Sequence, residues 1–341
     1  STSRGLGDVY KRQHLNSKEM NVEKVTPESE KDLCAEIKKL KKSKDAVVLA
    51  HYYVKGEIQD LADYIGDSLA LARIAEKLPN RIIVMCGVHF MGETAKILCP
   101  DKKVLVPDVE AGCSLADSCK AEDLEKFINE NPGHMVVSYV NTSADVKALT
   151  DVVVTSGNAR QIVEALPADT PLIFGPDRNL GHYISSVTGR EMKIWDGACH
   201  VHEQFSLEKI IELKKQHPQA RLLVHPECKH ALVILADKVG STAALLKYAK
   251  ESDADEFIVA TESGILHEMQ KSCGNKTFIP APPADSTCAC NDCSYMKLNT
   301  LEKLYNCLLT EQPEIQVDQE TAAKARKPIE RMLEMSEQLG I

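Results

Sequence analysis

The sequence predicts an α/β protein of three similar αβα domains with parallel sheets, related by pseudo-threefold symmetry around a central active site. Three observations predict this fold. Segments that begin at Val47, Met135 and Arg221 share one plan. Each segment alternates aliphatic runs with helical patterns, which is typical of parallel βαβ units with right-handed crossovers. In each repeat one cysteine also follows, at a comparable number of residues from the start of the segment. Because ligands collect at the carboxyl ends of parallel strands, three such domains would direct their strand ends at one centre.

The opening run of each repeat predicts a buried parallel strand. The runs are "VVLAH", "MVVSY" and "RLLVH", and continuous aliphatic residues are expected of strands that are covered on both faces. Each run ends in a polar residue, and these residues are His51, Tyr139 and His225. Sixteen or seventeen residues later a hydroxyl cluster leads into a helix, in "GDSLA", "TSGNA" and "GSTAA". The hydroxyl residues concerned are Ser68, Ser156, Ser241 and Thr242. A plain helix cap explains any one of them, whereas three around one centre favour anion binding.

Two further strands are predicted in each repeat. The second strands are expected in "RIIVMCG", "PLIFGP" and "EFIVATES". The third strands precede a cysteine, in "KVLVPDVEAGC", "MKIWDGAC" and "KTFIPAPPADSTCACNDC". The cysteines in register are Cys113, Cys199 and Cys293, each between sixty and seventy residues after the polar residue that ends its repeat's first strand. The predicted fold therefore brings three distant thiols together.

These repeats divide the chain into five parts. Residues 1–30 are expected to be a disordered or artefactual tail, since "STSRGLGDVYKRQ" has no apolar periodicity. The three αβα repeats are expected at 31–117, 118–203 and 204–293. Residues 294–341 are expected to form C-terminal helices that pack on the repeats, and Gly340 is placed to end the last one.

Composition excludes some classes of function. The formal net charge is −9, and no cluster of Lys and Arg alternates with aromatic residues, which argues against a nucleic-acid surface. No apolar run is long enough for a membrane span and no signal peptide is visible, so we expect no membrane partner and a cytoplasmic location. There the twelve cysteines should be reduced, which favours metal binding or catalysis over a disulfide framework.

Three thiolates from three repeats suit a [4Fe–4S] cluster better than a zinc ion that requires four ligands. One iron would then stay open to substrate and act as a Lewis acid. The alternative is that Cys113 and Cys199 are buried core thiols. In that case Cys288, Cys290 and Cys293 would form a local zinc or redox feature.

Several motifs in order resemble those of the quinolinate synthases, from about Pro27 to the C-terminus. They are "AHYYVKGEIQDLADYIGDSLALA", "GVHFMGETAKIL", "VLVPDVEAGCSLADSC", "SYVNTSADVKA", "TSGNA", "WDGACHVHEQF", "VHPEC", "VGSTAAL" and "CNDCSYMKLNTLEKL". The resemblance implies a [4Fe–4S] enzyme of NAD biosynthesis. Such an enzyme condenses iminoaspartate with dihydroxyacetone phosphate to quinolinate, phosphate and water. An L-aspartate oxidase or an aspartate dehydrogenase would be the functional partner that supplies iminoaspartate.

The resemblance also implies roles for residues. Cys113, Cys199 and Cys293 match the cluster ligands, which leaves Cys288 and Cys290 as bystanders or a redox pair. The run here is C-x-C-x-x-C, and Ser294 stands where proline is common, so a redox switch does not follow from the match. The positions that match substrate-binding residues are His51, Tyr53, Ser68, Tyr139, Asn141, Ser156, His225, Glu227 and Thr242.

Proton transfer is assigned to a smaller set. Glu227 lies two residues past His225, on the same strand-end face, and is the candidate general base. His51 and His225 are expected to move protons near neutral pH, and Tyr53 completes the catalytic set. The alternatives are a solvated loop carboxylate, structural strand-end histidines and a core tyrosine. The remaining histidines, His202 among them, receive no role.

Two other functions fit three cysteines in register. A radical enzyme that uses S-adenosylmethionine, of the diphthamide-forming kind, would share the scaffold, although "HPEC" and "GDSLA" argue against it. An iron–sulfur sensor or electron carrier would normally close all four iron positions with cysteine, and it would leave the polar strand ends without a role.

Overall fold

The structure is a computed structural model that describes residues 29–285 and 291–341. The tail predicted at 1–30 lies outside the described residues except for Ser29 and Glu30, which begin the first helix. The strands are β1 Ala46–His51, β2 Tyr64–Gly66, β3 Ile82–Cys86, β4 Lys103–Leu105, β5 Met135–Tyr139, β6 Val152–Val154, β7 Leu172–Gly175, β8 Met192–Ile194, β9 Arg221–Val224, β10 Lys238–Val239, β11 Glu256–Ala260 and β12 Thr277–Pro280.

Helices follow nearly every strand. They are α1 Glu30–Ser43, α2 Gly56–Leu61, α3 Ser68–Lys77, α4 His89–Leu98, α5 Ser114–Asp117, α6 Ala121–Glu130, α7 Ala144–Ala148, α8 Ala159–Ala165, α9 Arg178–Thr188, α10 His200–Glu203, α11 Leu207–Gln216, α12 His230–Leu235, α13 Thr242–Glu251, α14 Ile265–Cys273, α15 Leu301–Thr310 and α16 Gln319–Gln338, with a 3₁₀ turn at Met296–Leu298. No helix of the described chain is long and apolar enough to cross a membrane.

Three four-stranded sheets share one topology. Their strand orders are β2-β1-β3-β4, β6-β5-β7-β8 and β10-β9-β11-β12, and every pairing between these strands is parallel. The predicted α/β fold of three similar αβα domains is confirmed. The first strand of each repeat is central in its sheet, which explains its continuous aliphatic sequence, since both faces are covered.

Each sheet has one strand more than the sequence predicted. The additional strands β2, β6 and β10 are only two or three residues long and pair with the first strand of their sheet. An aspartate precedes each of them, and its carboxylate accepts a backbone N–H from the first strand at 2.7–2.8 Å. These aspartates are Asp63, Asp151 and Asp237. A recurring side-chain contact thus fixes edge strands that are too short to show a hydrophobic period.

The last helix joins the first two repeats. α16 packs against α7, β6 and α4, and Asn158 donates a 3.0 Å hydrogen bond to the Ser336 hydroxyl in its buried face. Most buried apolar side chains of the first two repeats and of α16 form one continuous cluster, with a small separate one at Cys119, Leu124 and Val146, whereas the third repeat has separate clusters on the two sides of its sheet. Tyr52 and Tyr53 of the first repeat pack against one of these clusters, next to the polar centre described below.

Candidate active site

All twelve site residues predicted from the sequence line one cavity, whose empty space of about 730 Å³ includes its opening to solvent. They are His51, Tyr53, Ser68, Cys113, Tyr139, Asn141, Ser156, Cys199, His225, Glu227, Thr242 and Cys293. His51 ends β1, Tyr139 ends β5, and His225 follows β9 directly. The cavity therefore lies where the carboxyl ends of the three central strands meet, as expected for ligand sites in parallel sheets.

The three cysteines have similar local geometry. Cys113 precedes α5, Cys199 precedes α10, and Cys293 lies just before the 3₁₀ turn. Each sulfur accepts backbone N–H groups from residues two or three positions further along the chain. Such N–H groups at the start of a helical turn stabilise a thiolate. All three loops are therefore built to carry negatively charged sulfur.

Burial opposes that charge in the protein alone. It raises the pKa of Cys113 to about 12, and the neighbouring Cys293 adds to the rise. Burial also raises the pKa of Cys199 and of Cys293. Three adjoining thiolates therefore require a positive group in the cavity. The donor set of three sulfurs with N–H support fits a thiolate-bound iron–sulfur centre.

A second group of potential ligands overlaps the first. One ligating atom each of Cys199, His202 and Glu227 lie within 4.8 Å of one another, so this trio could hold a single metal ion. Sulfur, imidazole and carboxylate are ligands that zinc accepts. The sequence left open a local zinc or redox feature that includes Cys288 and Cys290. These two cysteines lie outside the described residues.

Glu227 is buried among hydrogen-bond donors. Tyr139 donates its hydroxyl to Oε1 at 2.5 Å, and His202 Nδ1 lies 2.9 Å from Oε2. Burial raises the pKa of Glu227, but the contacts with His202 and Tyr139 outweigh it and hold the pKa below its ordinary value. The alternative of a solvated loop carboxylate is wrong, because the side chain is only 3% exposed.

His51 and His225 are held in the same way. The N–H of Tyr53 donates to His51 Nδ1 at 3.2 Å, and the N–H of Glu227 donates to His225 Nδ1 at 3.4 Å. Nδ1 is thus an acceptor in both rings, which leaves the proton on Nε2. His225 Nε2 lies 3.2 Å from the Ser156 hydroxyl.

The protonation of these two histidines differs from the expectation. Burial lowers the pKa of each to about 3, so both are neutral at neutral pH in the protein alone. The expectation that they titrate near neutral pH is therefore wrong, since it ignored desolvation. As neutral rings with Nε2–H, they are hydrogen-bond donors to whatever occupies the cavity.

A chain of hydroxyls connects Tyr53 to His202. The Tyr53 hydroxyl lies 2.7 Å from Thr242 Oγ1 and 2.8 Å from Thr261 Oγ1, and Thr261 Oγ1 lies 2.9 Å from His202 Nε2. Burial raises the pKa of Tyr53 well above its ordinary value, so the phenol keeps its proton. Through His202 the chain continues to Glu227, so it links side chains of all three repeats.

The hydroxyl residues differ in their relation to the helices. Asp67 caps α3 and Ser241 caps α13, so Ser68 and Thr242 are the first helical residues and not caps. Ser156 lies in the turn before α8. The plain-cap explanation therefore holds for Ser241 and fails for the three hydroxyl residues that line the cavity.

Sequence reasoning missed two acids that hold the cysteine loops. Asp177 lies two residues after β7, and its carboxylate accepts the N–H of Cys199 at 3.1 Å. Glu262 lies two residues after β11, and its carboxylate accepts the N–H of Cys293 at 3.0 Å. The sequence did contain evidence for these acids, because an acidic residue stands at the equivalent position of two repeats, at the end of "FGPD" and of "VATE".

Glu262 also forms a buried ion pair that ties three segments together. Lys297 Nζ lies 2.8 Å from its Oε1 and donates to the Tyr53 carbonyl at 2.8 Å. Burial raises the pKa of Glu262 to about 6, against the effect of Lys297. His202, the other residue that was missed, is three positions past Cys199 and is stacked on His225 with ring centroids 4.6 Å apart.

Comparison with known proteins gives one consistent result. The family model described as "Quinolinate synthetase A protein" matches residues 35–334. A quinolinate synthase of Microcystis aeruginosa is 56% identical over 305 residues, which cover 89% of this chain and 95% of the relative. Those of Thermosynechococcus vestitus and Chloroherpeton thalassium are 56% and 54% identical, over 89% and 90% of this chain and 96% of each relative.

Proposed function

The chain belongs to the quinolinate synthetase A family of enzymes, and from that premise we propose that it condenses iminoaspartate with dihydroxyacetone phosphate to quinolinate, phosphate and water. The observation that carries the proposal is the single cavity lined by residues of all three repeats. Family membership favours this activity over the radical and electron-carrier alternatives. The reaction would belong to de novo NAD biosynthesis.

The cofactor in this proposal is a [4Fe–4S] cluster held by Cys113, Cys199 and Cys293. Three thiolates would leave one iron open, and the bound cluster would supply a Lewis acid for the dehydration steps. The N–H donors to each sulfur and the acids behind Cys199 and Cys293 support this assignment. A single zinc on Cys199, His202 and Glu227 is the competing assignment, and iron and sulfide content would separate the two.

Substrate anions are assigned to donors from each repeat. The Nε2–H groups of His51 and His225 and the hydroxyls of Ser68, Ser156 and Thr242 line the cavity. They are suited to carboxylates and phosphate because neutral donors in a buried site form strong hydrogen bonds to charged oxygen. Tyr139 and Asn141, both on the second repeat, would orient the substrate between them.

Proton transfer is assigned to Glu227. It is ionised at neutral pH and can therefore accept a proton. A bound dicarboxylate would add negative charge nearby and raise its pKa toward the value that a general base needs. Tyr53 and Tyr139 keep their protons, so they would act as donors and not as bases.

The biological setting completes the proposal. An L-aspartate oxidase or aspartate dehydrogenase would supply iminoaspartate. We also propose a cytoplasmic location, which the ten unpaired cysteines of the described residues support. The domain boundaries near 117, 203 and 293 remain part of the proposal. Each lies at a cysteine in register or four residues after it.

A direct assay tests this function. The protein is reconstituted anaerobically with iron and sulfide, and it then receives dihydroxyacetone phosphate and iminoaspartate generated in situ by an aspartate oxidase. We expect quinolinate and phosphate in equal amounts. Reconstituted protein that holds four irons and yields no quinolinate would contradict the proposal.

A further inference from the structure

Lys147 is a buried cation with no ion-pair partner among the residues that the structure describes. Its side chain is 0% exposed, and Nζ donates to the carbonyls of Val140, at 2.9 Å, and of Thr142. Nζ also lies 5.4 Å from the ring centroid of Phe90, which lines the cavity. Among the described residues no carboxylate reaches it at ion-pair distance. A buried charge is costly unless an opposite charge compensates it, so Lys147 requires an explanation.

The first repeat shows that the hydrogen bonds alone do not require a charge. Gln59 lies eight residues after His51, as Lys147 lies eight residues after Tyr139. Gln59 Nε2 donates at 2.9 Å to the carbonyls of Tyr52 and Val54, which correspond to those of Val140 and Thr142. A neutral amide therefore makes the corresponding hydrogen bonds to the turn after the first strand of the first repeat. What the lysine adds is its positive charge.

That charge lies on the carbonyl side of the peptide group between Val140 and Asn141. The carbonyl of Val140 accepts from Lys147, and a trans peptide directs the N–H of the next residue to the opposite side. That residue is Asn141, which lines the cavity. Its N–H has no acceptor within the described part of the chain. In the first repeat the corresponding N–H, that of Tyr53, is taken up by His51 Nδ1, and Tyr139 offers no such acceptor.

We propose that Lys147 is an anion-binding positioning residue: its charge polarises the Val140–Asn141 peptide, so that the Asn141 N–H binds a carboxylate or phosphate oxygen of the substrate. The inference rests on the proposed function, because it identifies a further determinant of anion binding in the same cavity.

The electrostatic surroundings support this role. Burial lowers the pKa of Lys147 to about 8, whereas Glu93 and Cys113 favour the charged form. Glu93 is already engaged, since its Oε2 accepts the N–H of Ala144 at 3.1 Å and its Oε1 lies 3.7 Å from His89. A bound anion would therefore be the counter-charge that the site itself does not supply.

The test is Lys147→Gln, which copies the Gln59 arrangement and removes only the charge. Binding of quinolinate, a dianion, and of pyridine-2-carboxylate, a monoanion, is measured on the reconstituted holoprotein by calorimetry under anaerobic conditions. We expect quinolinate affinity to fall about tenfold or more, and that of the monoanion to fall less, since the interaction scales with charge. Lys38→Gln, at an exposed lysine on α1, is the control and should leave both affinities unchanged.

The possible results distinguish a failure of the Lys147 inference from a failure of the proposed function. If wild-type protein forms and binds quinolinate while Lys147→Gln matches it, or loses both ligands equally, the inference is wrong and the proposed function stands. If wild-type protein binds neither pyridine, both are wrong. Should Lys147→Gln not fold, deuterium exchange at the Asn141 amide of wild-type protein decides the matter. Saturating quinolinate should slow this exchange, and an unchanged rate would contradict the contact.

Discussion

The hydroxyl of Tyr139 donates a 2.5 Å hydrogen bond to the carboxylate of Glu227, so the first strand of the second repeat is joined to the strand end of the third inside the cavity. Both side chains are buried. With His202 on its other oxygen, Glu227 is fixed in one orientation by donors from two directions. This arrangement leads to the first prediction.

Glu227→Gln should keep the cluster and bind substrate but slow turnover. General acid–base groups typically contribute about 10²–10⁴-fold, so kcat should fall within that range. His225→Ala should instead weaken substrate binding as well, because it removes a donor to a carboxylate. Steady-state kinetics with iron analysis checks both variants. A near-wild-type kcat for Glu227→Gln with four irons retained would move the base elsewhere, most directly to His202, which lies 2.9 Å from Thr261 Oγ1.

Serine at Cys113, Cys199 or Cys293 should abolish the brown absorbance of the cluster and all activity, because each removes one of three ligands. Cys288→Ser and Cys290→Ser are the controls and should keep both under reducing conditions. Visible absorption and iron content after reconstitution measure the result. A full cluster in Cys293→Ser together with its loss in Cys290→Ser would overturn the ligand assignment.

Acidification should destabilise the fold through the buried histidines. The folded pKa of His51 is about 3 and its ordinary value is 6.5, so the unfolded chain binds a proton between these values and the folded chain does not. Stability is therefore full above pH 6.5 and is lost as the pH falls toward 3, by about 1.4 kcal/mol per pH unit for one histidine. Glu262, with its raised pKa of about 6, acts in the opposite direction between about 6 and 4.5.

A difference measurement isolates the histidine. Urea unfolding of wild-type protein and of His51→Gln is compared at pH 7 and pH 5.5. Because Glu262 is present in both, its contribution cancels. Wild-type protein should lose about 1.3 kcal/mol more than the variant over this interval, because the unfolded histidine is only partly protonated above pH 6.5. Equal losses would show that His51 is protonated normally in the folded state.

Removal of Lys297 should loosen the third cysteine loop. Lys297→Met leaves Glu262 buried without its cation, and breaking a buried pair is strongly destabilising. We expect iron loss to a chelator to be at least several-fold faster, with partial recovery in Lys297→Met combined with Glu262→Gln, because the uncompensated charge is then gone. Lys303→Met breaks the pair with Asp108 outside the cavity and serves as the control. Unchanged iron release from Lys297→Met would show that the pair does not hold the loop.

The sequence was sufficient for the repeat architecture because the central strands are covered on both faces and read as continuous aliphatic runs. The edge strands β2, β6 and β10 were missed because two or three residues cannot display a period. The residues in register, such as His51 and His225, were found because the repeat places them at strand ends. Their neutral state was not foreseen, since desolvation depends on the assembled cavity.

Other parts of the site depend on contacts that sequence spacing does not reveal. Lys297 and Glu262 are 35 residues apart, and only the folded loop brings them to 2.8 Å. Thr261, in the third repeat, connects Tyr53 of the first repeat with His202 of the second. Asp177 and Glu262 could have been found from the sequence, because each lies two residues after the third strand of its repeat along the chain.

The proposed cofactor is a cluster held by three cysteines, with one open iron at the substrate cavity. Mössbauer spectroscopy of protein reconstituted with ⁵⁷Fe, recorded with and without saturating quinolinate, tests it most directly. We expect the signal of one iron in four to change when the ring nitrogen and adjacent carboxylate displace water, while the other three keep thiolate-bound parameters. An unchanged spectrum in protein that binds quinolinate, or a site that contains zinc in place of iron, would contradict it.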